Sequence, residues 1–222
     1  DPYTGTHSPK SPRPKETCPD FQRYGNDLDE YLRLYYAMVT QIDANVGKIM
    51  KKLKEWKIAG NTAIIFTADH GDMQGSHGLK NKTLPYEESS GVPLIIKIPG
   101  GKTGIVPETV TSGIDLFPTC LNIAGISETE KLPGKSIMGE VMGDSVNMDS
   151  FAISEMRDWK MIREGDFKLI MKGPDLEPDE FYDLKNDPYE LHNIIDEESF
   201  TNQIISMRGK LIEEFSKLKV FT

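Results

Sequence analysis

Residues able to do chemistry concentrate in one stretch, Ala63 to Tyr86. There the β-forming apolar residues Ala63, Ile64, Ile65 and Phe66 run straight into Thr67, Ala68, Asp69, His70, Gly71 and Asp72. This pattern predicts a buried strand ending in a polar turn. Open α/β sheets place their chemistry at such strand ends, where side chains converge on a crevice. Asp69 offers hard carboxylate oxygens and His70 an imidazole nitrogen, a donor pair suited to a divalent cation, and Gly71 lets the backbone turn sharply behind them. Lys82 follows on a loop containing Gly, Ser and Asn that can fold back over the strand end. His77, midway between the pair and Lys82, is a candidate substrate contact; solvent exposure or a backbone hydrogen bond suits it equally. An isolated Asp-His pair reads as readily as a hydrogen-bonded turn, so its meaning depends on what surrounds it.

The surrounding elements are legible from periodicity. Between Asp27 and Trp56, Leu28, Leu32, Tyr35, Val39, Ile42, Val46, Ile49 and Leu53 recur in steps of three and four and predict a long amphipathic helix. Gly60 and Asn61 close the turn after it, and helix plus following strand read as part of a βαβ unit. The loop from Gly71 to Gly91 has the length of a functional loop. Val92 to Ile98 predicts a second buried strand and Val110 to Ile114 a short one. Asp115 then opens a helix, DLFPTCLNIAG, stopped by Gly125, with Cys120 expected as a small buried apolar residue. After a surface connection, Phe151 to Met156, Lys160 to Arg163, Phe167 to Met171 and Glu180 to Leu184 predict a small antiparallel sheet. Ile204, Met207, Leu211, Phe215 and Leu218 mark an amphipathic helix to cover it.

Composition excludes several classes. A hydrophobic content of 37% and a mean hydropathy of −0.44 belong to a soluble globular protein. No apolar run approaches the roughly 20 residues that span a bilayer, so no membrane span is expected. A net charge of −9 with no basic run argues against nucleic-acid binding and reads as a solvated acidic surface. Two cysteines, Cys18 and Cys120, exclude a disulfide-rich scaffold and a Cys-based zinc site. The Pro-rich stretch from Asp1 to Asn26 reads as an extended lead-in without a charged-then-apolar signal segment.

The stretch DHGDMQGSHGLKNKTLPYEE resembles the type I sulfatases, and the related phosphonate monoester hydrolases, of the alkaline phosphatase superfamily. The likeness extends to YYAMVTQIDANVGKIMKKL before it and to VPLIIKIPG, DLFPTCLNIAGI, MIREGDFKLI and EFYDLKNDPYELHNI after it, in the family's order. It implies a fold with part of an alkaline phosphatase-like α/β sheet flanked by helices, followed by a small C-terminal antiparallel sheet plus helix. It places Asp69 and His70 on metal positions, Lys82 on the catalytic, oxyanion-binding position, and a divalent cation between enzyme and sulfate ester. Calcium is the family's usual metal, and the imidazole of His70 suits manganese too.

Family members also carry a C/S-x-P-S-R motif, whose Cys or Ser becomes the formylglycine nucleophile, and an N-terminal pair of Asp ligands. Cys18, in CPDFQR, does not match that motif. The resemblance therefore leads us to expect the C-terminal portion of a sulfatase, partnered in the intact protein by an N-terminal half that supplies the nucleophile. On that expectation residues 1–26 are the lead-in, 27–148 the later part of the α/β core and 149–222 a small α+β subdomain, and cellular location stays open. THSPKSP resembles the family's H-x-P segment, which would make His7 the leaving-group acid, though Tyr3 of DPYT fits that position as well. Two other readings are a phosphonate or phosphate ester hydrolase of the same superfamily and a non-catalytic module that binds a partner through its acidic face. A Ser hydrolase is disfavoured, since no G-x-S-x-G elbow occurs.

Overall fold

A computed structural model describes residues 28–79, 81–104, 109–126, 132–143, 151–173 and 175–218. The lead-in, His7 and Cys18 lie outside them. The chain divides into two compact units, Asp1–Lys82 with Gly91–Pro99, and Thr83–Ser90 with Gly100–Thr222.

In the first unit helix α1 spans Leu28–Glu55, with Asp29 and Glu30 in its first turn and Lys52 and Lys54 in its last, charges that complement the helix dipole. A short 3₁₀ turn, Ala59–Asn61, feeds strand β1 (Ile64–Thr67), and β2 (Leu94–Lys97) lies beside it. The pairing is antiparallel, Ile64 opposite Lys97 and Thr67 opposite Leu94, and β1 is half-buried rather than fully buried. A parallel neighbour needs a crossover that returns the chain to the same end of the sheet; here the loop after β1 doubles back and enters β2 from the opposite end. No described helix is long and apolar enough to cross a membrane.

In the second unit the segment Thr83–Ser90 ends in one turn of helix, α2 (Glu87–Ser90). Helix α3 (Leu116–Ile123) is entered through a 3₁₀ turn at Gly113–Asp115, where a strand was expected to end. The reason is local: the Ser112 N–H donates to the Asp115 carboxylate and the Asp115 N–H to the Ser112 carbonyl, capturing groups that a strand would have paired. Helix α3 buries Pro118 and Thr119; Cys120 is exposed, contrary to expectation, because it lies off that face. Thr119 Oγ1 donates to the Asp115 carbonyl and accepts from the Ile137 N–H, tying α3 to the chain that leads into α4 (Met138–Met142).

Strands β3 (Phe151–Met156), β4 (Trp159–Glu164), β5 (Phe167–Lys172) and β6 (Glu177–Asp183) form an antiparallel meander in that order. Alternation sorts their side chains. Ile162, Leu169, Met171 and Phe181 point to one face, where Ile204, Met207, Leu211 and Phe215 of helix α5 (Thr201–Leu218) pack on them as the expected cover. Trp159, Met161, Ile170 and Tyr182 cluster separately with Leu184, and Tyr86 packs against them. Both faces of this sheet are therefore covered, the second by a segment distant in sequence.

Candidate functional site

Strand β1 ends at Thr67, and the next turn lifts Asp69 and His70 into solvent; the Asp69 side chain is 87% exposed. Asp69 Oδ1 accepts the His70 backbone N–H at 3.0 Å, which sets the carboxylate over the imidazole, with Oδ2 3.5 Å from Nε2. His70 Nδ1 lies 2.8 Å from the Gly71 carbonyl, a partner that can only accept, so Nδ1 carries the ring proton and Nε2 keeps its lone pair. Lys82 Nζ sits 2.8 Å from that Nε2 and donates to it. Three side chains that were grouped from sequence as metal donors and anion binder thus meet at one corner.

The intervening loop explains how they meet. The Met73 N–H donates to the Asn81 carbonyl and the Gly75 N–H to the Leu79 carbonyl, both at 2.7 Å, so the loop closes on itself like a hairpin. Met73 is fully buried inside the fold and pins the near end of the loop. Asp72 Oδ1 accepts the Gln74 N–H at 2.9 Å and the Tyr31 hydroxyl at 3.3 Å, which ties the start of the loop to α1. Left-handed backbone at Gln74, Gly75, His77 and Asn81 makes the tight turns possible. For the three non-glycine residues this is strain, of a kind that collects at functional sites. His77 occupies the loop tip, half-buried in the turn Ser76–Gly78, with both backbone rungs between it and Lys82.

Carboxylate oxygens beside an imidazole whose Nδ1–H is held by a carbonyl are donors that a divalent cation accepts. Asp69 and His70 therefore fit as part of a coordination shell. Among the described residues no group of three or more His, Cys, Asp or Glu side chains is placed to hold an ion. The residues that sequence reasoning passed over are Met73, which reads as an ordinary apolar residue in a polar loop, and Asp72, which reads as a turn former; both position the site.

A strand end carrying Asp69, His70 and Lys82, in a chain that goes on to an antiparallel sheet with a helix on it, has the architecture of the alkaline phosphatase-like fold seen in sulfatases. The chain matches the sulfatase family model over residues 2–126, and over 75–217 the model described as N-sulphoglucosamine sulphohydrolase, C-terminal. It belongs to the sulfatase family, a family of hydrolases that generally use a divalent cation. It is 34% identical over 206 residues to the uncharacterized sulfatase YidJ of Escherichia coli strain K12, covering 88% of this chain and 40% of that protein. The structure of BT4656 in complex with its substrate D-glucosamine-2-N,6-O-disulfate is similar with a TM-score of 0.77 and 28% identity, over 86% of this chain and 42% of that one. Phosphonate monoester hydrolase of Agrobacterium radiobacter is similar with a TM-score of 0.72 and 26% identity, over the same shares of 86% and 42%. The chain thus spans about two fifths of the length of the relatives it matches.

Proposed function

We propose that this chain is the C-terminal part of a sulfate-ester hydrolase and contributes one wall of its active site: Asp69 and His70 as ligands of a divalent cation, and Lys82 as the catalytic ammonium that holds the sulfate. The observation that carries the reading is the 2.8 Å approach of Lys82 Nζ to His70 Nε2, which joins cation-binding and anion-binding groups in one corner. Calcium suits the carboxylate oxygens, and manganese is the alternative that the imidazole admits. When bound, such an ion polarises the S–O bonds and orients the nucleophile.

The chain's own residues do the rest of what can be derived. Hydrolysis of a sulfate ester leaves negative charge on the sulfuryl oxygens, so a fixed positive charge beside them lowers the barrier. A cation on His70 Nε2 would take the single lone pair that accepts from Lys82 here, leaving all three Lys82 N–H donors for sulfuryl oxygens. The Gly71 carbonyl holds the His70 tautomer that keeps Nε2 basic. His77, at the loop tip, serves in this reading as a contact for parts of a substrate beyond its sulfate group. The formylglycine nucleophile and the remaining ligands come from the rest of the protein.

The test uses the full-length protein and 4-nitrophenyl sulfate. We expect hydrolysis that a chelator abolishes and calcium restores. Lys82→Ala should lower kcat/KM about 10²- to 10³-fold, the range for losing one preorganised charge or donor. His77→Ala should raise KM with little change in kcat, the signature of binding shared by ground and transition state. Unchanged kinetics in Lys82→Ala would end the reading. The similarity to a phosphonate monoester hydrolase favours one second reading, a phosphonate or phosphate ester substrate. Faster turnover of phenyl phosphonate or 4-nitrophenyl phosphate esters than of the sulfate would select it. Failure on all three esters would leave a non-catalytic module.

A further inference from the structure

The segment Thr83–Ser90 begins one peptide bond after Lys82, and side chains of the meander sheet hold it together with Glu190 from the chain beyond β6. Thr83 stands at φ 78°, left-handed backbone that a β-branched residue rarely adopts, and its carbonyl accepts the Trp159 Nε1–H at 3.0 Å. The Pro85 carbonyl accepts from Lys168 Nζ, also at 3.0 Å. The Glu87 carboxylate pairs with Lys168 and Arg163, each at 2.7 Å, from residues directly opposite one another on β5 and β4. The Glu87 N–H donates to Glu190 Oε2 at 2.6 Å, and Glu190 in turn pairs with Lys168 at 2.7 Å. Tyr86 packs on Trp159, Met161, Ile170 and Tyr182, and its hydroxyl donates to Glu180.

Lys168 is the hub. It is fully buried, and its three N–H donors face three oxygens, from Pro85, Glu87 and Glu190. A buried lysine is costly unless it is paired and hydrogen-bonded, and such pairs contribute specificity of arrangement more readily than stability. Here the arrangement specified is that of a loop end, not of the sheet: each oxygen facing Lys168 belongs to Thr83–Ser90 or to the Glu190 carboxylate that holds the Glu87 N–H. The strain at Thr83 fits the same account, since backbone in a sparsely populated region persists only where its surroundings over-determine it.

We propose that the face of the meander sheet opposite α5 is a clamp for Thr83–Ser90, and that Lys168 is a positioning residue for Lys82, acting through the Lys82–Thr83 peptide bond. This rests on the reading of Lys82 as the sulfate-binding ammonium. Catalysis then depends on a residue that touches neither substrate nor cation. Its loss frees the C-terminal tether of the loop, so that sulfate binding must first order what the clamp had ordered in advance.

The test compares Lys168→Met, which keeps the length of the side chain, with Lys168→Arg, which keeps the charge, in the full-length protein. In Lys168→Met the Glu87 amide should exchange its hydrogen about tenfold faster or more, a local opening. KM for 4-nitrophenyl sulfate should rise about tenfold, with Lys168→Arg recovering part of it, because small displacements of a catalytic group are costly. A merely structural role would lower the melting temperature and leave both KM and Glu87 exchange of the folded enzyme unchanged, which would overturn the inference. If Lys168→Met does not fold, Trp159→Phe removes one bond to the Thr83 carbonyl while keeping an aromatic ring; faster exchange over residues 84–90 with a raised KM supports the clamp, and no change in either overturns it. Normal kinetics in Lys82→Ala would sink the site and this inference together. A crippled Lys82→Ala beside an unaffected Lys168→Met would sink the inference alone.

Discussion

Two amphipathic helices with the same kind of apolar stripe meet different fates in this molecule. In α5, Ile204, Met207, Leu211 and Phe215 are buried against the meander sheet. In α1, Leu32 is buried, but Val39, Ile42 and Ile49 of the same stripe stay exposed, Ile42 at 51% and Ile49 at 60%. Periodicity identifies which face of a helix is apolar; it carries no information on whether a partner covers that face. The contrast extends to the strands, since β5 is almost wholly buried whereas β1 and β2 are half-buried or exposed. The second unit reads as a finished core, and the first as a scaffold whose strand end carries the proposed site.

The most severe way to probe that difference is to cut into the finished core. Leu211 is fully buried and touches the cluster built on Ile162, Leu169 and Phe181. Leu211→Ala should destabilise the chain by about 3 kcal/mol, within the range for buried leucines whose sites relax only partly. Urea unfolding measures it directly. A loss below about 1 kcal/mol would mean that α5 packs far more loosely than its burial indicates.

An effect of similar size is tied to pH, and its sign follows from the buried cluster. Burial raises the Glu190 carboxyl to about 7 from 4.5; Lys168 and the Glu87 N–H pull it back down only partly, and the Glu87 carboxylate adds to the rise. The folded chain therefore takes up this proton more readily than the unfolded one between 4.5 and about 7. The penalty of the buried charge is absent below that window and complete above it, so Glu190 makes stability fall as pH rises through it, by about 3 kcal/mol in all. Glu87 acts in the other sense: although burial pushes its carboxyl up, Lys168 and Arg163 outweigh that and hold it below 4.5. Its contribution is present above 4.5 and lost at more acidic pH. Urea unfolding at about pH 3, pH 5 and pH 8 of wild type and Glu190→Gln separates the two, the lowest pH reading Glu87 and the upper pair Glu190. The Glu190-dependent difference should vanish in the variant, while the acid-side loss from Glu87 remains.

Which features could be read from sequence follows from the range of the forces involved. The meander strands, α5, α1 and the Asp69-His70-Lys82 corner were legible because alternation, helical spacing and adjacent donors are local patterns. The antiparallel pairing of β1 with β2 was not, since it depends on which end of the sheet a long loop returns to. Lys168 reads as the polar, solvent-facing position of a half-exposed sheet, and only tertiary contact with a segment 83 residues away reveals it as a buried hub. Cys120 failed for a related reason: a short apolar helix does not declare which of its faces is buried. Met73 gave no signal at all, because a plug for a closed loop has no periodicity to betray it.

The smallest expected effect is the one that makes the contrast between the helices sharpest. Ile42 is half-exposed in the middle of α1, where isoleucine and serine have similar helix propensities. Ile42→Ser should therefore change the stability of this 222-residue chain by no more than about 0.5 kcal/mol, as surface substitutions do. The same substitution in the full-length protein is the informative counterpart. If the remainder of the protein packs on the α1 stripe, the loss should rise to about 1 to 3 kcal/mol, the transfer and packing contribution of a buried isoleucine. A cost that large in the short chain alone would show Ile42 to be covered there, and the difference between the two helices would be smaller than their exposures indicate.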